Sequence, residues 1–213
     1  MDLTKYGINS DNPLLKIALT HSSYANEHHA SDYERLEYLG DAVLELVMSE
    51  YYYKNSELKE GEMTKRRSRY VCEEALDAYA DTINLKKYIK VGEGMVINAT
   101  ITADVFEAVI AVIYLNNGLS KAREFIMDIA LPFINNNTIF LSDYKSYLQE
   151  LVQTDRRSVE YRVVSESGPD HNKSFEVEVL VDNIVFAKGK GKSKKAAEQD
   201  AAKKAIELSA GVK

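Results

Sequence analysis

The segment from Tyr33 to Leu46, YERLEYLGDAVLEL, constrains this chain most because it predicts a helix with two opposed faces. At about 100° per residue its leucines and valines share one side, which predicts a face packed in a core. Its acids fall in a narrow wedge on the other side, without a lysine or arginine among them: Glu34, Glu37, Asp41 and Glu45. Like charges one turn apart destabilise a helix by roughly 0.2–0.5 kcal/mol, and a divalent cation with oxygen ligands would offset that repulsion. A solvated acidic face explains the same pattern, so this segment alone leaves both interpretations open.

A second pair of acids lies in TADVFEAVIAVIYLNNG, a segment that the sequence predicts to be a helix buried nearly all round. Asp104 and Glu107 are three residues apart and therefore share one face of this helix. Burying an ionised carboxylate without a partner is costly in free energy. Ion pairs with Arg35 or Arg66 would reduce that cost, and so would a metal site shared with the acids of Tyr33–Leu46. We expect Gly118 to end the helix.

The charge of the chain is divided unevenly along its length. The net charge is −6, but residues 143–213 carry 13 Lys and Arg against 12 Asp and Glu, while the remainder carries 14 against 21. This asymmetry predicts two modules with different roles.

The chain has one cysteine, Cys72, which excludes an intrachain disulfide framework and fits a reducing compartment, so we expect a cytoplasmic location. The N-terminus shows no signal pattern, and the apolar run from Val105 to Leu115 is too short to span a bilayer. We therefore expect neither a membrane partner nor an organic cofactor.

The order of the predicted elements defines two domains. In the first, Pro13 predicts the start of a helix that continues through LTHSSYANEH, and a long helix is expected over 62–82. The Asn-rich segment after Ile134 predicts a linker. The rest reads as a helix, three strands with a tight turn at Asp182-Asn183, and an Ala-rich helix capped by Ser193. We thus predict an all-α domain at 1–136, a linker at 137–142, and a small α+β domain of α-β-β-β-α order at 143–211.

A run of lysines, KGKGKSKK, joins the third predicted strand to the last helix. Lys194 and Lys195 fall in the first turn of that helix, where cations oppose the helix dipole. A docked polyanion would relieve the conflict, because free backbone N–H groups and ammonium groups both favour phosphate. A solubilising basic turn is the alternative.

With these residues in place, the chain resembles bacterial ribonuclease III, an endonuclease domain followed by a double-stranded-RNA-binding domain, over about residues 5–209. ERLEYLGDAV resembles the signature helix of that family, and LTHSSYAN and ADVFEAVIAVIYL match two further segments in the same order. DYKSYLQE, GPDHNKSF and GKSKKAAEQDAAKKA resemble the three RNA-contacting segments of the second domain.

The resemblance implies a magnesium-dependent endoribonuclease for double-stranded RNA, with Mn²⁺ as a substitute cation. It implies that four carboxylates hold the metal: Glu37, Asp41, Asp104 and Glu107. Of these, Asp41 and Glu107 are the implied catalytic residues; Glu34 is an accessory acid and Glu45 lies outside the set. Whether one or two ions act stays open.

The resemblance also implies a homodimer that cuts opposite strands and leaves a 5′-phosphate and a short 3′ overhang. Tyr38 is the implied dimer contact, where the family usually has Phe, and Tyr33 replaces a usual Asn. Processing of ribosomal RNA precursors and messenger RNA would fit. The alternative function is a non-catalytic double-stranded-RNA-binding dimer.

The RNA-contacting residues implied for the second domain form three groups. Ser146, Gln149 and Glu150 would face one minor groove of an A-form duplex, and His171 would reach the next. Lys192, Lys194 and Lys195 would hold the phosphates between them.

Overall fold

The structure, a computed structural model, describes residues 1–138, 140, 144–154, 156–169 and 173–210, apart from the side chains of 150, 154 and 210. The chain divides into two compact units, Met1–Phe140 and Leu141–Lys213. The domain limits proposed from the sequence stay a prediction. Within 137–142, the segment predicted as a linker, Phe140 is buried in the first unit and its ring lies 5.4 Å from that of Phe133.

The first unit is helical, as predicted. Its helices are α1 (Pro13–Ala18), α2 (Ser22–His28), α3 (Glu34–Asn55), α4 (Glu60–Tyr70), α5 (Glu73–Thr82) and α6 (Ala99–Asn135), with 3₁₀ turns at Thr4–Tyr6 and Leu85–Tyr88. Local capping starts several of them. Pro13 occupies the first turn of α1, where Asn12 Oδ1 accepts hydrogen bonds from the amides of Leu14 and Leu15.

Two helices predicted as continuous are interrupted. Between α1 and α2, the amide of Lys90 donates to the carbonyl of Leu19 at 2.8 Å and the amide of His21 donates to the carbonyl of Lys90 at 3.0 Å. This bridge holds 19–21 out of the helix. Between α4 and α5, Cys72 is extended, and its carbonyl accepts from the amides of Ala75 and Leu76 to begin α5. Tertiary pairing and a local change of backbone conformation thus override helix propensity.

Helix α6 passes through the core of the first unit and is buried on nearly all sides in its first half, as predicted. Gly118 has φ 76° and ψ 176°, a conformation outside the helical region, so α6 consists of two helical segments joined at a kink. Among the described residues it is the one helix long and apolar enough to cross a membrane by length and composition. However, 61% of its most apolar window is buried, as in a core helix.

The second unit places three antiparallel strands against two helices, which confirms the predicted α-β-β-β-α order. The elements are α7 (Tyr144–Thr154), β1 (Val159–Ser167), β2 (Ser174–Val181), β3 (Ile184–Gly191) and α8 (Lys194–Ala210), with sheet order β1-β2-β3. The β2–β3 turn is the predicted one: Asp182 and Asn183 both have positive φ, as a type I′ hairpin requires. Ser193 caps α8 by accepting from the amide of Ala196 at 3.1 Å, again as predicted.

The core of the second unit lies between the sheet and α8. Alternate residues of β2 are all buried there: Phe175, Val177, Val179 and Val181. β3 approaches α8 closely because Gly189 has no side chain; a Cβ there would overlap the main-chain nitrogen of Ala201. The alanines of α8 thus serve close packing.

Candidate active site and nucleic-acid interface

The candidate active site lies where α3 packs on α6, and Gly40 determines how closely the two helices meet. A Cβ at Gly40 would overlap the main-chain carbonyl oxygen of Glu107. Glycine in a helix interior costs about 0.5–1 kcal/mol relative to alanine, so the close approach comes at a local cost in stability. Because Gly40 lies between Glu37 and Asp41 in sequence, the contact brings the acids of α3 to those of α6.

The two pairs of acids interact electrostatically across this contact. The pKa of Glu107 is raised to about 8, chiefly by burial and then by the charges of Asp41 and Glu37. Burial also raises the pKa of Glu37, followed by the effects of Asp104 and Glu34. The charged groups that chiefly shift Glu107 are all carboxylates, so these acids form one negatively charged cluster.

Asp104 is held by a neutral group. Burial raises its pKa, while the hydroxyl of Tyr33, which donates to Asp104 Oδ2 at 3.0 Å, lowers it. Among the described residues, the ion pairs with Arg35 or Arg66 considered for Asp104 and Glu107 are not formed. Among the described residues, neither of these arginines therefore competes with a cation for Asp104 and Glu107.

The donor set fits a hard divalent cation in its chemistry. All four predicted ligands offer carboxylate oxygens, which Mg²⁺ prefers, and they share one helix crossing. As placed in the described part of the chain, no three acidic, histidine or cysteine side chains are already arranged to hold a metal ion. Binding an ion there requires the carboxylates to draw together, which glutamate side chains can do by rotation. Their roles as ligands, and those of Asp41 and Glu107 in catalysis, remain predictions.

The other two acids of the Tyr33–Leu46 segment have different environments. Glu34, the predicted accessory acid, is exposed at the first turn of α3 and contributes to the raised pKa of Glu37. Glu45 lies 2.6 Å from Arg67 Nε of α4, and Arg67 Nη1 donates to Ser49 at 2.8 Å. This ion pair gives the fourth acid of α3 a structural partner.

Tyr38, the predicted dimer contact, projects from α3 and is 82% exposed. Leu46 and Tyr53 are exposed on the same helix, and at 100° per residue all three fall within one wedge. A cavity of about 460 Å³ opens between α3 and α4. Its lining includes Leu46, Tyr52, Tyr53, Glu60, Met63 and Arg67.

The predicted RNA-contacting residues of the second unit are only partly described. Ser146 and Gln149 are exposed on α7, where Glu150 also lies, although its side chain is not described. His171 lies outside the described residues. Lys192, Lys194 and Lys195 are exposed where β3 leads into α8.

The structure divides the lysine run into two sets. Lys188 Nζ lies 2.8 Å from Glu178 Oε1, and Lys190 Nζ lies 3.9 Å from Glu176 Oε2. These two lysines therefore balance acids of the central strand. Lys192, Lys194 and Lys195 are concentrated instead at the start of α8, where the helix dipole also favours an anion.

Three residues important to the candidate site were missed by sequence reasoning. Gly40 carried a usable signal, because a glycine inside a strongly helical segment often marks a close packing contact. Tyr33 was noted as a departure from the family, but its bond to Asp104 joins residues 71 positions apart and had no local signal. Arg67 lies on a different helix from its partner Glu45, so their ion pair had no local signal either.

Comparisons with known proteins agree with this architecture. A family model described as Ribonuclease-III-like matches residues 11–133, and one described as Double-stranded RNA binding motif matches residues 144–208. The Ribonuclease 3 of Listeria monocytogenes serotype 4a (strain HCC23) is 44% identical over 207 residues, covering 92% of this chain and 90% of the relative. The Ribonuclease 3 of Onion yellows phytoplasma (strain OY-M) is 44% identical over 199 residues, covering 91% of this chain and 83% of that protein.

A solved structure also resembles the first unit. The nuclease domain of ribonuclease III from Campylobacter jejuni matches with a TM-score of 0.55 and 31% sequence identity, covering 61% of this chain and 94% of that structure. An α-helical nuclease domain joined to a double-stranded-RNA-binding domain defines an endoribonuclease for RNA duplexes. The chain belongs to the ribonuclease III family.

Proposed function

We propose that this protein hydrolyses phosphodiester bonds in double-stranded RNA in a magnesium-dependent reaction that leaves a 5′-phosphate and a short 3′ overhang. The observation that carries the proposal is the cluster of Glu37, Asp41, Asp104 and Glu107 at the contact between α3 and α6. Among the described residues, no lysine or arginine is paired with these acids, and such a group suits a cation better than it suits a purely structural role. Mn²⁺ is the proposed substitute cation.

The residues of the cluster would hold the cation through carboxylate oxygens. When bound, Mg²⁺ activates water as a nucleophile and stabilises charge on the leaving oxygen. Glu107, with its pKa raised to about 8, retains a proton at neutral pH when no cation is near. Its ionisation is therefore coupled to occupancy of the site. Asp41 lies on the facing helix, and we propose that it acts with Glu107 at the scissile phosphate, with Glu34 in support.

The second unit would bind the duplex by its shape. Ser146, Gln149 and Glu150 are spaced i, i+3 and i+4 on α7, which allows them to share a face toward the minor groove. We propose that His171 contacts a neighbouring minor groove. Lys192, Lys194 and Lys195 would contact the phosphates between the two grooves.

We propose that the protein acts as a homodimer through the exposed aromatic face of α3. The support is the exposure of Tyr38 on α3, together with a cavity of about 460 Å³, lined in part by the same helix, that can receive an aromatic ring. In the Campylobacter jejuni nuclease domain, one region is described as involved in dimer formation. Tyr52 borders the cavity, and its buried hydroxyl has no hydrogen-bond partner among the described residues, so the hydroxyl of a partner's Tyr38 would suit it.

Sedimentation equilibrium tests the proposed dimer. Tyr38→Ala should be monomeric, whereas the control variant Tyr88→Ala should stay dimeric. A dimeric Tyr38→Ala protein would contradict the proposal.

We further propose a cytoplasmic enzyme that processes ribosomal RNA precursors and messenger RNA. The support is the double-stranded-RNA-binding domain together with a single free cysteine, Cys72. Sequencing the 5′ ends of cellular RNA with and without the active enzyme identifies these substrates. Unchanged ribosomal precursors would remove that part of the proposal.

The decisive experiment is cleavage of a long RNA duplex with and without Mg²⁺ by wild type, Glu107→Gln and Glu45→Gln. Glu107→Gln should bind the duplex with unchanged affinity but cut it over about a hundredfold more slowly. Loss of an outer-shell partner already costs up to about a hundredfold, and Glu107 is a proposed direct ligand. Glu45→Gln, a matched change to an acid that is paired with Arg67, should retain most activity. End analysis should find 5′-phosphates and short 3′ overhangs.

Two results would count against the proposal. Undiminished cleavage by Glu107→Gln would remove that residue from the site. If the wild-type protein bound duplex RNA but never cut it at any Mg²⁺ concentration, the non-catalytic binding dimer would be the better description.

A further inference from the structure

Tyr33 immediately precedes α3, and its backbone is fixed by hydrogen bonds on both sides. Its amide donates to the carbonyl of Thr20 at 3.0 Å, and its carbonyl accepts from the amides of Leu36 and Glu37 at 2.8 and 2.9 Å. The residue is 3% exposed. A side chain on so constrained a backbone, with its ring buried, has little freedom to change its direction.

The side chain of Tyr33 has no role in capping α3. Asp32 performs that task, because its Oδ1 accepts from the amide of Glu34 at 3.1 Å, whereas Tyr33 makes no side-chain cap. The phenol crosses instead to α6 and donates to Asp104 Oδ2 at 3.0 Å. Its ring also lies 5.7 Å from the ring of His21. The start of α3 is thereby linked directly to one carboxylate of the acidic cluster.

A phenol has a particular chemical effect on a carboxylate in such a cluster. A lysine or arginine would orient Asp104 but would also neutralise its charge and compete with a cation. A neutral O–H donor fixes one oxygen of the carboxylate and leaves the negative charge and the second oxygen available. Such outer-shell hydrogen bonds orient ligating carboxylates in protein metal sites.

We propose that Tyr33 is a positioning residue that holds Asp104 in the orientation required to bind a divalent cation. This inference rests on the proposed function, in which Asp104 is a metal ligand. Tyr33 touches neither the RNA nor the cation, and it acts only through Asp104.

The test is Tyr33→Phe in the full chain, which removes the hydroxyl and keeps the ring. Binding of Mn²⁺ to the RNA-free protein, followed by electron paramagnetic resonance of the free ion, should weaken about tenfold. In cleavage assays the Mg²⁺ concentration for half-maximal rate should rise similarly, while the rate at saturating Mg²⁺ should largely recover. Duplex binding in EDTA should be unchanged.

The chain offers a matched control in Tyr6→Phe. The hydroxyl of Tyr6 donates to Asp128 Oδ2 at 2.9 Å, and its ring is also buried, but Asp128 lies outside the acidic cluster. Both variants lose a tyrosine–aspartate hydrogen bond, so thermal melts should show comparable losses of stability. Only Tyr33→Phe should change Mn²⁺ affinity. A Tyr33→Phe protein with wild-type Mn²⁺ affinity overturns the proposal, as does an equal weakening in Tyr6→Phe.

Asp104→Asn distinguishes failure of this inference from failure of the proposed function. If Asp104→Asn weakens Mn²⁺ binding and Tyr33→Phe does not, only the role of Tyr33 is wrong. If Asp104→Asn leaves Mn²⁺ binding unchanged, the proposed metal site and the role of Tyr33 fail together. Adding Tyr33→Phe to Asp104→Asn should have no further effect on Mn²⁺ affinity, because Tyr33 acts through Asp104.

Discussion

In the first unit, burial and neighbouring acids raise the pKa of Glu37 and Glu107. In the second unit, by contrast, hydrogen bonds from Arg162 and then Lys188 lower the pKa of Glu178. Glu178 is buried on β2 with Arg162 Nη2 and Lys188 Nζ each 2.8 Å from its oxygens, on the two flanking strands. Among the described residues, the α3–α6 contact therefore gathers acids that raise one another's pKa, whereas β2 holds a buried acid between two basic side chains.

This difference separates acids that stabilise the fold from acids that are available for chemistry. The cross-strand ion pairs of Glu178 join all three strands, so its charge favours the folded sheet. The charges at the α3–α6 contact repel one another and oppose folding, and a bound cation would offset that repulsion. Similar residue types thus have opposite effects on stability, and the partners within reach decide which effect operates.

The largest expected effect comes from forcing α3 and α6 apart at the acidic cluster without changing any charge. Gly40→Ala places a Cβ against the main chain of Glu107 and should lower the free energy of unfolding by about 3 kcal/mol, with loss of cleavage. Urea unfolding followed by circular dichroism measures this change. Gly189→Ala, the corresponding overlap in the second unit, should impair duplex binding and leave Mn²⁺ binding intact.

Gly61→Ala is the control for Gly40→Ala. Gly61 is also in a helix, but a Cβ there would meet no atom within 4 Å. Its replacement should stabilise the protein by about 0.4–1 kcal/mol, because alanine restricts the unfolded chain. Destabilisation of similar size in both variants would mean that the contact with Glu107 does not explain the requirement at Gly40.

Removing one charge from each unit should produce stability changes of opposite sign. At pH 8 without a divalent cation, Glu107→Gln should stabilise the protein by about 1–2 kcal/mol, because it relieves repulsion in a buried site. Glu178→Gln should destabilise it, because Arg162 and Lys188 lose their shared partner. Thermal unfolding of both variants beside wild type makes the comparison. Two shifts of the same sign would contradict the distinction drawn between the clusters.

The stabilisation by Glu107→Gln should also depend on pH. The folded-state pKa of Glu107 is about 8, above its ordinary value of 4.5. Between these two pH values the folded protein therefore binds more protons than the unfolded protein. The contribution of Glu107 to stability is therefore present at low pH and lost as the pH rises through that window. Wild type and Glu107→Gln should converge in stability near pH 4.5. Equal differences at pH 4.5 and pH 8 would show that Glu107 titrates normally.

The smallest expected effect concerns the two sets of lysines in the second unit. Lys194→Ala with Lys195→Ala should weaken duplex binding about tenfold and reduce the slope of log affinity against log salt by about 2, one unit for each lost phosphate contact. Lys188→Ala, which removes a lysine already paired with Glu178, should leave the slope near that of wild type. Fluorescence anisotropy at several salt concentrations measures both. A common slope for all the proteins would identify Lys194 and Lys195 as general surface charge.

Much of the fold could be predicted because the signals are local. The hairpin at Asp182-Asn183, the cap at Ser193 and the end of the helical segment at Gly118 each depend on a few adjacent residues. The interruption near His21 could not be predicted, because it depends on main-chain hydrogen bonds to Lys90, far along the sequence. The burial of Phe140 could not be predicted for the same reason, because two of its aromatic partners, Tyr70 and Tyr79, are distant in sequence.

The candidate site shows the same limit. The acids could be selected from their spacing and the family resemblance, because carboxylates on one helix face are visible in the sequence. How α3 and α6 approach one another depends on the backbone contact at Gly40; the glycine indicates close packing, but the sequence does not identify Glu107 as its partner. The contacts of Tyr33 with Asp104 and of Arg67 with Glu45 likewise depend on packing between helices, so the sequence did not show them.

The contact between Gly40 and Glu107 also affects which size of cation the proposed metal site would accept. Because main chain meets main chain there, the spacing of the two helices is set by backbone thickness and resists adjustment by side-chain motion. Oxygen ligands lie about 2.0–2.1 Å from Mg²⁺ and about 2.3–2.6 Å from Ca²⁺. Carboxylates anchored on two helices of fixed spacing would fit one of these radii better than the other, so the helix contact itself would help to select the cation.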